Sequence, residues 1–291
     1  MIRASLPNIK EAWLHAYFSM LDDKPGVIDF YQRNIIHSHS NVLTARQGVF
    51  DFDLGEIGLT ITKWTKFTGM YVDVDMLHGW VDNAMNVRSY DAMFPFKVTP
   101  PQFGGKKAVH QWGPCIVGMS FRRQPKPTLT FFTRAQSLGF SGVADYALLH
   151  FVCKKLAERM SIPQEKIKVV IYCSNFMIKM VEVLHTLDRM GLLAQYEFAD
   201  NRIGESIRYY TKYLAQDAPE LKWRAANRMR SKLLAFREGK FTSLPVDNLT
   251  LKGWDHRTRT APRRSLRQAQ VLVLGGKHPT VQPAGEVNNA G

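Results

Sequence analysis

Apolar residues recur at Ile9, Trp13, Tyr17 and Leu21, a four-residue spacing that lines one face of a helix, with Pro25-Gly26 beyond its end. "NVLTARQGVFDFD" (41–53) and "IGLTIT" (57–62) read as strands around a turn at Leu54-Gly55-Glu56, from their β-branched and aromatic content. "VDVDMLHGWVDNAM" (72–85) is a helix, and "PFKVTPPQFGGKK" (95–107) a loop by its prolines and glycines. "CIVGMSFR" (115–122) and "TLTFFTR" (128–134) are two strands joined through Arg123 to Pro127. A long helix follows over about Val143 to Met160, with Pro163 at its exit. "IKVVIYC" (167–173) is a buried strand, and Asn175 to Met190 a helix stopped by Gly191. From Arg202 to Lys240 the pattern is helical, polar and basic, interrupted at Pro219. "LTLKGWDHRTRTAPRRSLRQAQ" (249–270) is a short strand running into a basic arm, and the final residues look like a disordered tail. These elements make an α+β fold with a mostly antiparallel sheet packed with helices.

Composition fits a globular chain: 291 residues, 45% apolar, enough for one substantial core. The expected organisation is a catalytic domain over 1–200 and 241–260, a basic helical insert over 201–240, and a basic arm and tail over 261–291. Lys10 and Glu11 break the opening apolar run, which reads as an amphipathic helix more than a signal peptide. No stretch approaches membrane-spanning length, so the expected location is the cytoplasm, with no membrane partner.

The net charge of +14 points to a polyanionic partner, and its distribution sharpens the point. Arg202 to Lys277 holds 17 Lys and Arg against 6 Asp and Glu, leaving a surplus of only three to the rest of the chain. Arg224, Arg228, Lys232, Arg263, Arg264 and Arg267 are the candidate phosphate contacts, with Trp223, Phe241 and Trp254 interleaved as stacking groups.

Three cysteines, Cys115, Cys153 and Cys173, have no CxxC spacing, and an odd count argues against a disulfide framework. "HSH" at 37–39 offers two metal ligands with no third nearby, so no metal is expected. Gly275-Gly276 lacks the strand-to-helix setting of a phosphate loop, and no dinucleotide fingerprint or serine-centred elbow is present. Cys115 alone reads as a small buried hydrophobe, and only its context changes that.

The context is "LTFFTRAQSLGFSGVADYALLHFVCKKLAERMSI" (129–162), which resembles the central block of thymidylate synthases and pyrimidine hydroxymethylases. In that family a proline and the catalytic cysteine open one strand, a neighbouring strand ends in Gln-Arg-Ser, and a helix opens with Tyr-Ala-Leu-Leu. Pro114-Cys115, Arg134 and Tyr146-Ala147-Leu148-Leu149 match these in order. "IGLTITKW" followed by "VDMLHGWV" resembles the segment leading to the catalytic glutamate, which puts Asp75 on that position; "LTLKGWDH" resembles the closing strand, with Trp254 for its tyrosine. Departures stand beside the matches. Ile116 replaces the histidine after the cysteine, and Thr133 and Ala135 flank Arg134. The pyrimidine-reading asparagine falls on or near Gly142, and the sugar-holding His-x-Tyr has become "VIYCSN", where Tyr172 or Asn175 could serve. The stretch between Asp75 and Cys115 is about half the family's, omitting much of the folate pocket and its phosphate-binding arginines, for one of which Arg88 stands in.

Bottom-up, the surviving chemistry is a thiolate beside a cation. A guanidinium such as Arg134, brought from the adjacent strand, favours the thiolate without any base next to Cys115 in sequence. Addition of that thiolate to C6 of a pyrimidine makes C5 electron-rich. The resemblance thereby implies an activity like that of bacteriophage thymidylate-synthase-like enzymes of thymine hypermodification. These transfer an amine, such as glycine or putrescine, onto 5-pyrophosphomethyl-deoxyuridine in DNA. It implies DNA and a small amine or amino acid as partners, no folate or other cofactor, a host cytoplasm if the chain is phage-encoded, and a homodimer by the family's habit. A folate-dependent dUMP or dCMP (hydroxy)methyltransferase and a non-catalytic DNA-binding homologue are the alternatives.

Overall fold

The computed structural model describes residues 1–22, 29–31, 35–84, 92–96, 115–139, 142–215, 238 and 242–255. All fall in one contact unit, Met1–Asp255. Arg88, Arg224, Arg228, Lys232, Arg263, Arg264 and Arg267 lie outside the described residues, as do Pro114, Trp223, Phe241 and the tail.

A short strand, β1 (Arg3–Asn8), precedes the first helix, α1 (Ile9–Leu21), whose Ile9, Trp13, Tyr17 and Leu21 are all buried as their spacing requires. The Asn8 side chain caps that helix by accepting from the Glu11 N–H at 2.9 Å. The chain continues through β2 (Asp29–Tyr31), β3 (Ile35–Gln47), α2 (Ile61–Tyr71), α3 (Val74–Asn83), β4 (Ala92–Pro95) and the hairpin β5 (Ile116–Arg122) to β6 (Thr128–Thr133). Then come β7 (Gln136–Ser137), α4 (Val143–Met160), β8 (Lys168–Lys179), α5 (Met180–Arg189), α6 (Leu193–Glu197) and α7 (Arg202–Ala215).

The strands form one sheet in the order β1-β3-β8-β6-β5-β4, with β2 on β3 and β7 on β8. It is a mixed sheet. β3 runs antiparallel to β8 and β5 to β6, while β1 on β3 and both β6 and β7 on β8 run parallel. The parallel pairs follow from connections through helices, which return the chain in the same direction. α1 packs on β1 and β3, and α4, packed against α1, α2 and α3, is apolar around most of its first three turns, as a core helix is. Trp13 joins the layers: its ring lies edge-on to Phe50 and its indole N–H donates to the Leu138 carbonyl at 2.9 Å.

Three expected elements differ. "IGLTIT" is no strand: Gly58 adopts a left-handed φ of 71° closing a 3-10 turn, and the Thr60 side chain caps α2 by accepting from the Lys63 N–H. Asn175 to Lys179 continue β8 instead of opening a helix, because their backbone pairs with Ile35 to His39 of β3. Within "LTLKGWDH", residues 252–255 make a turn, with Gly253 at φ 91°, and the Thr250 carbonyl accepts from the Trp64 indole N–H at 2.8 Å.

Candidate active site

Cys115 immediately precedes β5 and Arg134 immediately follows β6, so the hairpin register, Ile116 opposite Thr133, sets the two side by side. The Arg134 main-chain N–H donates to the Cys115 carbonyl at 2.8 Å. A register shift between Ile116 and Gly118 bends β5 just beyond the cysteine, the kind of local kink that re-aims a side chain at a strand end. Cys115 is partly exposed, whereas Cys153 and Cys173 are buried and their thiols are pushed upward by desolvation, Cys173 to about 12. Of the three thiols, Cys115 has the accessibility a nucleophile needs.

Two groups that the residue pattern did not single out belong to the electrostatic surroundings of Cys115 and Arg134: Tyr71 feels the charges of both and of Asp145. Tyr71, the last residue of α2, is half-buried with its ring 5.2 Å from Phe67. Its hydroxyl is pushed up to about 12, by burial first and then by the charges of Cys115 and Asp145, against the pull of Arg134. Asp145, in the first turn of α4, is the second. Burial lifts its carboxyl to about 7, although Gln136 donates to its Oδ2 at 3.1 Å. Gln136 is itself held, its Oε1 accepting from the Tyr146 hydroxyl at 3.2 Å. The helix signature Tyr146 therefore steadies the amide that steadies the acid.

The N-terminus of α4 reaches this spot through Gly142. Any Cβ there would collide with the Ser137 carbonyl, so position 142 can carry no amide side chain to a pyrimidine. Asp75 lies exposed in the first turn of α3, where the preceding Asp73 serves as cap to the Met76 N–H at 3.0 Å. The carboxylate whose charge Tyr71 feels is that of Asp145. Tyr172 alternates with the buried Cys173 along β8, so it projects from the other face of the strand, 45% exposed and stacked on Phe132 at 5.5 Å. Asn175 hydrogen-bonds the His37 ring at 3.2 to 3.3 Å. Trp254, a candidate stacking group, is instead buried edge-on against Phe151 and over His78. The structure thus sets Cys115 beside Arg134 along the hairpin, with Tyr71 feeling the charges of both and of Asp145.

Signals for the two additional residues were present. Trp64, Phe67 and Tyr71 keep helical spacing within "KWTKFTGMY", and Asp145 is the one acid in the apolar run "GVADYALLHFV". Among the described residues, no group of three or more His, Cys, Asp or Glu could hold a metal, and no helix is long and apolar enough to cross a membrane.

No protein-family model and no curated protein matches the chain. Among solved structures, the chain is similar to thermostable thymidylate synthase A from Bacillus subtilis, at 10% identity and a TM-score of 0.40, over 63% of this chain and 84% of that one.

Proposed function

We propose that the chain is a transferase that modifies pyrimidines in DNA, with Cys115 as nucleophile and Arg134 as the cation beside it. The observation that carries this reading is their adjacency at the open end of the β5-β6 hairpin, with the only partly exposed thiol among the three cysteines. In the proposed reaction the Cys115 thiolate adds to C6 of 5-pyrophosphomethyl-deoxyuridine, and the electron pair of the C5–C6 double bond moves onto C5 and O4. Return of that pair expels pyrophosphate and leaves an exocyclic methylene. The amine nitrogen then attacks the methylene and loses a proton, and departure of the thiolate restores the ring double bond. No redox partner is required.

The basic stretch from Arg202 to Lys277 supports a polymeric substrate, since 17 Lys and Arg against 6 Asp and Glu suit a phosphate backbone more than one nucleotide. The test incubates wild type and Cys115→Ser with 5-pyrophosphomethyl-uracil duplex and a panel of amines, then digests to nucleosides. Wild type should yield aminated thymidine, and the serine variant none, a hydroxyl being a far poorer nucleophile at neutral pH. Faster turnover of the free 5′-monophosphate with methylene-folate would replace this reading with that of a folate-dependent synthase.

A further inference from the structure

One face of the sheet is packed and the other is open. Along β8 the buried Val169, Ile171 and Cys173 alternate with Lys168, Val170 and Tyr172, and along β3 the buried Leu43 and Ala45 alternate with Val42, Thr44 and Arg46. Register sets the unburied residues side by side. Tyr172 pairs with Val42 on one flank and with Phe132 of β6 on the other, and Arg122 of β5 lies across Thr128 from Lys168. Arg46 follows Ala45, the partner of Val169, and so stands next to Lys168. Three cations thus line one end of the open face over about 14 Å, three strand spacings. About 13 Å further along β8 the Phe132 and Tyr172 rings stack at 5.5 Å with an interplanar angle of 9°, and Tyr172 is 45% exposed.

We propose that this open face binds single-stranded nucleic acid, with phosphates on Arg46, Arg122 and Lys168 and a base continuing the Phe132–Tyr172 stack. The proposal goes beyond the function above and does not rest on Cys115 being a nucleophile. Charge selects the class of partner. β1, β3, β4, β5, β6 and β8 contain no Asp or Glu, yet carry Arg3, Arg46, Arg122, Lys168 and Lys179. A second copy of the same face would desolvate these cations with no carboxylate to pair them, which costs free energy. A phosphate backbone supplies the missing anions and releases its counterions as it does so. The ring pair then narrows the class, since every base has a flat face that extends such a stack and a sulfated polysaccharide has none. In a duplex those faces are already covered by neighbouring bases, so the ligand is a single strand.

The test measures binding of a labelled oligothymidylate to the full chain by fluorescence anisotropy across a salt series, with heparin as a polyanion that lacks bases. None of the four side chains to be changed is buried, so the variants should keep the fold. Tyr172→Ala should weaken oligothymidylate binding by about fivefold or more and leave heparin binding as it was. Arg46→Gln, Arg122→Gln and Lys168→Gln together should weaken both. The slope of log affinity against log salt should flatten by roughly two units, at about 0.7 per phosphate contact on a single strand. Wild-type oligothymidylate affinity in Tyr172→Ala overturns the proposal, and so does an unchanged slope in the triple variant. Sedimentation velocity without nucleic acid covers the other occupant: a wild-type dimer that Tyr172→Ala turns into a monomer would assign the face to a second copy and overturn the proposal as well. None of these measurements involves turnover, so a chain inactive on 5-pyrophosphomethyl-uracil DNA would fail the proposed function and leave this result standing.

Discussion

Gln136 donates to Asp145 Oδ2 at 3.1 Å in a setting where the two residues are only 1% and 5% exposed. A neutral amide satisfies a carboxylate's lone pair but brings no charge to balance it, so burial still dominates and the acid keeps its proton up to about 7. A cation in the place of Gln136 would have reversed that result.

The first prediction concerns stability. The folded-state value for Asp145, about 7, lies above the unfolded value of 3.8. Below 3.8 both states hold the proton, and its contribution is fully present. As pH rises toward 7 the unfolded chain releases the proton while the folded chain keeps it, so up to about 4 kcal/mol is lost, and the curve is flat beyond. Asp145→Asn removes the titration. Urea unfolding of both proteins at pH 4 and pH 8 should show the variant gaining on wild type at the higher pH, and a constant difference between them would count against a proton-bound Asp145.

How much of this was legible in the sequence depends on whether the signal was local. Trp13 and Tyr17 gave α1 because four-residue spacing records burial on a helix face, and "VADYALLHFVCKKLAERM" gave α4 for the same reason. The Cys115 and Arg134 adjacency was legible because a hairpin sets register from its own short loop. Asn175 to Lys179 misled because their strand exists only through pairing with β3, nearly 140 residues earlier in the chain. Tyr71 escaped for a related reason. The thiol whose charge it feels is 44 positions away, and nothing within "FTGMY" announces that the two share surroundings.

His150 supplies the second prediction. Its Nδ1 faces the Phe50 N–H at 3.0 Å, which can only donate, so the ring proton resides on Nε2 and is donated to Asp247 at 3.0 Å. Burial lowers its protonation range below the ordinary histidine value, and Asp247 offsets part of that. With the folded value depressed, this stability is present above about pH 6.5 and is lost as pH falls through the folded value. His150→Leu leaves the Phe50 N–H without its acceptor and should cost about 1 to 3 kcal/mol at pH 7.5. It should also lose less than wild type between pH 7.5 and pH 5 in the same urea assay. Equal losses would mean that the ring does not sense protonation.

The last prediction concerns the polymer. Each Lys or Arg that neutralises a phosphate releases condensed counterion and contributes about 0.9 to the slope of log affinity against log salt on duplex DNA. Arg263, Arg264 and Arg267 stand within five residues of one another in a segment with no acidic residue between them, so they can act on one stretch of backbone. Neutralising all three should flatten the slope by roughly two to three units and weaken binding without regard to base sequence. Chemistry at the thiol should be untouched, which the alkylation rate of Cys115 reports independently of DNA. Fluorescence anisotropy on a long duplex between 50 and 200 mM salt, on the order of the range where such slopes are well resolved, measures the change. A slope equal to that of wild type would remove this arm from the DNA contact and shift the search to Arg224, Arg228 and Lys232, where the same substitution series applies.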